Sequence, residues 1–215
     1  MKKTDLVALV SLGSVSLLTA LAYPHLPADV TTHFDFRGEP NGSMSRLTFA
    51  LFCPVLAALL WSFGRFVSPH LKDRFNLPRG VPEGVQHLLL LLPLGIVLGV
   101  HVMLLRYAQA PSARMIHSSV PVLLGVVCLV LSLVLPRVRE NPFVGIRVPW
   151  LRGRPTLWAR THRVAGYTYF GAFLGCVACL FLPASAASIL AVSCMLGGSF
   201  IPVVYSLWVS RHEAA

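Results

Sequence analysis

Six apolar runs dominate the chain, at residues 6–23, 47–67, 85–108, 115–135, 164–182 and 186–209. A helix needs roughly 20 apolar residues to cross the hydrocarbon core of a bilayer. The pattern therefore predicts an all-α integral membrane protein of six transmembrane helices. The last two runs are parted by "PASAA", which predicts a tight helical hairpin. Polar residues gather in two places, 24–46 and 136–163. In the first, "DVTTHFDFRG" alternates: Val30, Thr32, Phe34 and Phe36 fall on one face of a short strand, and Thr31, His33, Asp35 and Arg37 on the other. "GEPNG" follows with turn chemistry. In the second, a helical period sets in at Thr156 and puts Trp158, His162 and Gly166 on one face. Three modules follow: a first helical pair, 1–67, with its loop module at 24–46; a central pair, 68–135; and a C-terminal module, 136–215, made of the 136–163 loop and the last two helices.

Composition agrees: 55% of the 215 residues are hydrophobic and 12% are charged, about half the share of a soluble domain. Lys and Arg favour cytoplasmic loops. With both termini cytoplasmic, 14 of the 18 basic residues fall inside, seven of them in the 136–163 loop. Only Arg37, Arg46, Arg106 and Arg114 fall outside, so the 24–46 module faces outward. Positive-inside topology thus accounts for most of the net charge of +10, and no direct nucleic-acid binding is expected. The basic loop is suited to anionic lipid head groups. The N-terminus also resembles a cleavable leader ending Ala20-Leu21-Ala22, but its apolar stretch exceeds the usual leader core, which favours a retained helix.

Five cysteines all lie in apolar runs and are expected to be buried thiols, including Cys176-x-x-Cys179. Gly171-x-x-x-Gly175 and the Gly197-Gly198 pair predict close helix packing. No H-E-x-x-H, G-x-S-x-G or phosphate-cradling loop is present, so neither catalysis nor a cofactor is expected. His33 and Asp35 suit three roles: ordering the loop, contacting an outside ligand, or, with Glu39, weakly, holding a metal. His87 and His101, 14 residues apart, point the same way on the third helix and are intramembrane candidates.

The inner loop carries Asn141, Gly145, Ile146, Arg147, Pro149, Trp150 and Leu151, then Trp158, Thr161, His162, Arg163 and Gly166. This pattern resembles the signature of the SdpI-like family of bacterial membrane immunity proteins. The outer loop, with Leu26, Pro27, Val30, His33, Phe34, Gly38, Asn41, Gly42, Ser45 and Arg46, is similar to a module that often precedes it. Thr31 departs from the family's usual proline, and "LRGRP" is more basic than usual. The resemblance implies a multi-pass protein of the bacterial cytoplasmic membrane that protects against a membrane-active peptide toxin and relays to a cytoplasmic repressor. It also implies ligand contact through His33, Phe34, Asp35, Gly38, Asn41 and Arg46. Partner contact would run through Asn141, Gly145, Arg147, Pro149, Trp150, Trp158, Thr161, His162 and Arg163. A small-molecule, peptide or lipid transporter, and a metal-dependent membrane enzyme, are the alternatives.

Overall fold

A computed structural model describes residues 3–35, 38–63, 82–141 and 144–212. Six α-helices form among them: α1 (Lys3–Ala22), α2 (Arg46–Ser62), α3 (Glu83–Gln109), α4 (Ala113–Val134), α5 (Pro155–Cys179) and α6 (Ala184–His212). Four stretches are long and apolar enough to cross a membrane: Asp5–His25, Leu91–Gln109, Arg114–Arg137 and Ala186–His212. Large apolar side chains such as Leu17, Phe170, Phe200 and Trp208 stand exposed on the helices. In a bilayer such surface is solvated by lipid, while each helix satisfies its own backbone. The remaining two helices fall short for different reasons. The described part of α2 has 17 residues, and the end of its expected run, beyond residue 63, lies outside the described residues. The first turns of α5 carry Arg160, His162 and Arg163, which lower its apolarity.

The chain divides into two compact units, residues 1–69 with 89–120 and residues 70–88 with 121–215. In the first, α1, α2 and α3 share a core of Ala8, Val15, Ala57, Leu94 and Leu98. Small Ala8 and Ala57 let the backbones come close. Pro54 and Pro93 sit inside continuous helices.

Between α1 and α2 the chain forms an antiparallel hairpin of β1 (Asp29–Phe34) and β2 (Pro40–Ser45). The expectation of one strand followed by a "GEPNG" turn needs correction. The turn closes earlier, where Asp35 N–H donates to the Glu39 carbonyl at 2.9 Å and Gly38 N–H to the Asp35 carbonyl at 3.0 Å. Pro40, Asn41 and Gly42 belong to β2. Pro40 is tolerated because it opens the strand. The register shifts between Thr31 and His33 and again before Phe34, so strict alternation fails. Phe36 and Arg37 lie outside the described residues. Val30 is nevertheless fully buried, against Ala22, Leu26, Phe49, Leu104 and Leu105.

In the second unit α5 and α6 form the expected hairpin, joined by residues 180–183. Glycine lets them approach: a Cβ on Gly175 would meet Cys194 Sγ at 2.6 Å, and one on Gly198 would meet Tyr169 at 3.1 Å. Gly171 and Gly197 face open space, so only half of the small-residue positions make packing contacts. Polar groups tie the same pair, since Thr168 donates to the Gly198 carbonyl at 3.0 Å and the Tyr169 and Ser199 hydroxyls pair at 2.8 Å. All five cysteines are free thiols, and Cys128, Cys176 and Cys179 pack as buried apolar groups.

Candidate functional site

The β1–β2 hairpin is built from side chains that each hold one piece of backbone or one neighbour. Ser45 caps α2 by accepting from Thr48 N–H at 3.2 Å, which fixes where the strand ends and the helix begins. Arg46 follows; its N–H donates to the Ala28 carbonyl at 2.8 Å and its guanidinium lies 5.1 Å from the centre of the Tyr23 ring. At the tip, Asp35 Oδ1 accepts from Glu39 N–H at 2.9 Å. His33 pairs across the hairpin, Nδ1–H donating to Asn41 Oδ1 at 2.6 Å. The imidazole and the carboxylate thus have separate partners. His33, Asp35 and Glu39 are not brought into a metal-holding group, and no group of three or more His, Cys, Asp or Glu side chains could hold a metal among the described residues.

Two further residues underpin the hairpin. Phe34 meets Tyr107 of α3 edge to face, with ring centres 4.7 Å apart. Gly38, at φ +78°, lies over His117 of α4 so closely that a Cβ would fall 2.8 Å from the imidazole Nε2. Sequence reasoning missed His117, although the predicted topology puts it at the outer end of the fourth helix. Lower in the same unit, His101 is fully buried. Its Nε2 meets Thr19 Oγ1 at 2.8 Å while Thr19 donates to the Val15 carbonyl, so Nε2 carries the proton. Phe49 stacks on the ring, and Nδ1 finds no partner among the described residues. His87 is half-buried on the same helix.

The segment that precedes α5 is locked rather than displayed. Asn141 closes a turn: Oδ1 accepts from Val144 N–H at 2.8 Å and Nδ2 donates to the Arg139 carbonyl at 2.8 Å. Pro142 and Phe143 lie outside the described residues. Pro149 opens a short 3-10 turn, Pro149–Leu151, which buries Leu151 completely. Trp150 Nε1–H donates to Ser206 Oγ on α6 at 3.0 Å. The Gly153 N–H is taken by the Glu140 carboxylate at 2.7 Å. Pro155 then starts α5, where a missing N–H costs nothing.

At the centre stands His162. Ile146 N–H donates to its Nε2 at 2.9 Å, so that nitrogen bears no proton. Nδ1 therefore carries it and donates to the Trp158 carbonyl at 2.9 Å. The Trp158 indole stacks on the imidazole at 4.2 Å and donates to the Val138 carbonyl at 2.9 Å. Gly145, at φ +118°, passes so near that a Cβ would fall 2.4 Å from Nε2. One turn onward Gly166 leaves room for Pro136, 2.4 Å from where its Cβ would be. Burial pushes the His162 pKa down, partly offset by the bond to the Trp158 carbonyl.

Of the nine residues at 141–163 predicted as partner contacts, Trp158, Thr161 and His162 are buried. The Thr161 hydroxyl has no hydrogen-bond partner among the described residues. Arg147, Pro149 and Arg163 are exposed, and Asn141, Gly145 and Trp150 are half-buried. Ser206, Val138 and Pro136 were missed; each enters through a backbone group, a ring or a hydroxyl that carries no motif of its own.

Residues 12–58 match a family described as a domain of unknown function, DUF1648, and residues 137–206 match the SdpI/YfhL protein family. No curated protein and no solved structure matches the chain. The first match covers the hairpin and falls within the first unit; the second covers the His162 lock and falls within the second. The chain thus pairs a segment of the SdpI/YfhL family, residues 137–206, with a preceding DUF1648 segment, residues 12–58, an arrangement consistent with an SdpI-like protein.

Proposed function

We propose that this protein is a non-enzymatic immunity and sensing protein of the bacterial cytoplasmic membrane, protecting its host from a membrane-active peptide. The carrying observation is the pairing of an SdpI/YfhL segment with a preceding DUF1648 segment, each folded around its own signature residues. In this reading six helices cross the membrane with both termini inside. The distribution of Lys and Arg supports that topology. The outer hairpin then meets the peptide through its exposed tip, at His33, Glu39 and Asn41. The inner segment offers Arg147 and Arg163 to anionic lipid or to an acidic cytoplasmic protein such as a repressor.

Transport is the weaker reading. Among the described residues the first unit buries the polar side chains of Asp5, Thr19, His101 and His117, and the proton-bearing nitrogen of His101 is already taken by Thr19. The test is expression in a sensitive bacterium, followed by challenge with a secreted killing peptide encoded beside this gene. Survival rising well above the empty-vector control supports immunity; survival equal to the control sinks it.

A further inference from the structure

The segment 144–151 is held on α5, at Ile146, by a histidine that can accept only while neutral, while Trp150 bonds Ser206 of α6 and Asn141 takes the Val144 N–H. His162 Nε2 is the acceptor for Ile146 N–H, and Nδ1–H is committed to the Trp158 carbonyl. A second proton has one place to go, and there it meets an N–H already at hydrogen-bond distance. Two donors facing each other in a buried site cost the bond and leave both unsatisfied. Gly145 presses on the same edge of the ring, so Nε2–H has no room to turn aside.

Among the described residues no facing acid compensates an imidazolium here. Before the turn, Arg137, Arg139 and Glu140 are exposed, and the Glu140 carboxylate is engaged by Gly153 N–H. On and after the docked segment, Arg147 and Arg152 are exposed and Arg154 is half-buried. Arg160 and Arg163 on α5 are exposed, as are Arg211 and His212 at the end of α6. Eight of these groups are arginines, none of which favours a further positive charge.

We propose that residues 144–151 form a pH-gated flap, closed on α5 while His162 is neutral and opened when the imidazole takes a proton at Nε2. Opening uncovers the Trp158 indole and the site that buries Leu151, and it frees Arg147 to move. Because burial favours the neutral ring, the flap is closed at neutral pH and opens only on acidification below the ordinary histidine range.

Hydrogen–deuterium exchange of the full-length protein in phosphatidylcholine nanodiscs tests this, with rates corrected for the intrinsic pH dependence of amide exchange. Protection of the peptide containing Ile146 should fall on going from about pH 7.5 to about pH 5, by up to about tenfold for each pH unit below the ordinary histidine value of about 6.5, levelling off once pH passes the folded-state value. Amides in the middle of α5 and α6 should keep their protection. His162→Gln supplies a neutral acceptor and should hold the flap closed throughout. Trp158→Phe removes the bond to Val138 and should lower protection at every pH while keeping the acid step. The proposal is overturned if the Ile146 peptide is equally protected across the range. It is also overturned if α5 and α6 lose protection in step with it, or if His162→Gln folds and keeps the acid step. Should His162→Gln fail to fold, the confinement of the wild-type loss to 144–151 decides the matter.

Discussion

The two signature segments each carry a histidine, and the two are used in opposite ways. His33 lies exposed on a hairpin and pairs with another side chain, Asn41. His162 is buried and joins two backbone groups from different parts of the chain. A side-chain pair at a wet tip is replaceable by water, whereas a buried backbone N–H that loses its acceptor has no substitute. Dense signature residues therefore do not by themselves mark a binding surface. Trp158 and His162 are spent on holding the backbone at Val138 and Ile146, Thr161 is buried, and the guanidinium groups of Arg147 and Arg163 are exposed.

Glycine substitutions break this comparison most sharply. Gly145→Val puts a branched side chain at φ +118° into space held by His162 and Trp158. It should cost about 3 kcal/mol or more, from backbone strain plus overpacking, and purified protein in detergent should unfold at much lower temperature. Gly38→Val is strained too, at φ +78°, but meets the outer edge of one imidazole. Its cost should be about 1–3 kcal/mol. Equal losses at the two sites would mean that the 144–151 segment is no better anchored than the hairpin.

His162→Ala comes next, at about 2–4 kcal/mol, because it orphans Ile146 N–H and leaves a cavity beneath Trp158. The pH dependence has a defined sign. The folded-state pKa of His162 lies below its ordinary value, so the neutral ring's contribution is complete above the unfolded-state value of about 6.5. It is lost as pH falls through the folded-state value. Thermal unfolding of the wild type should therefore move down on acidification, and the part due to this ring should vanish in His162→Gln.

Helices and their ends were legible because apolar runs and helical period are local signals. The run at 85–108 becomes α3, and the Trp158–His162–Gly166 face is buried as one stripe. The hairpin was half legible. Alternation found β1, but the register shifts beside His33 and the closure by Asp35 depend on pairing with a strand that "PNGSMS" does not advertise. Least legible were the partners of the signature residues. Val138 and Ile146 act through backbone groups, and a backbone group leaves no trace in composition. Gly145 was visible as a glycine, yet its reason, an imidazole that a Cβ would meet at 2.4 Å, exists only after folding.

The smallest stability effect and the most informative functional one should come from the hairpin tip. Removing the exposed His33–Asn41 bond with His33→Asn should cost about 1 kcal/mol or less, since both groups regain water. Asp35→Asn keeps an oxygen able to accept from Glu39 N–H, so it too should leave the protein in the membrane at its normal level. If the tip meets the peptide, the double variant loses protection while thermal unfolding and membrane abundance stay near wild type. A hairpin that only orders the ends of α1 and α2 behaves differently: protection then falls only in step with abundance. His162→Ala is the matched control, because its loss of protection should track loss of folded protein, and a tip variant that tracked in the same way would erase the distinction between the two histidines.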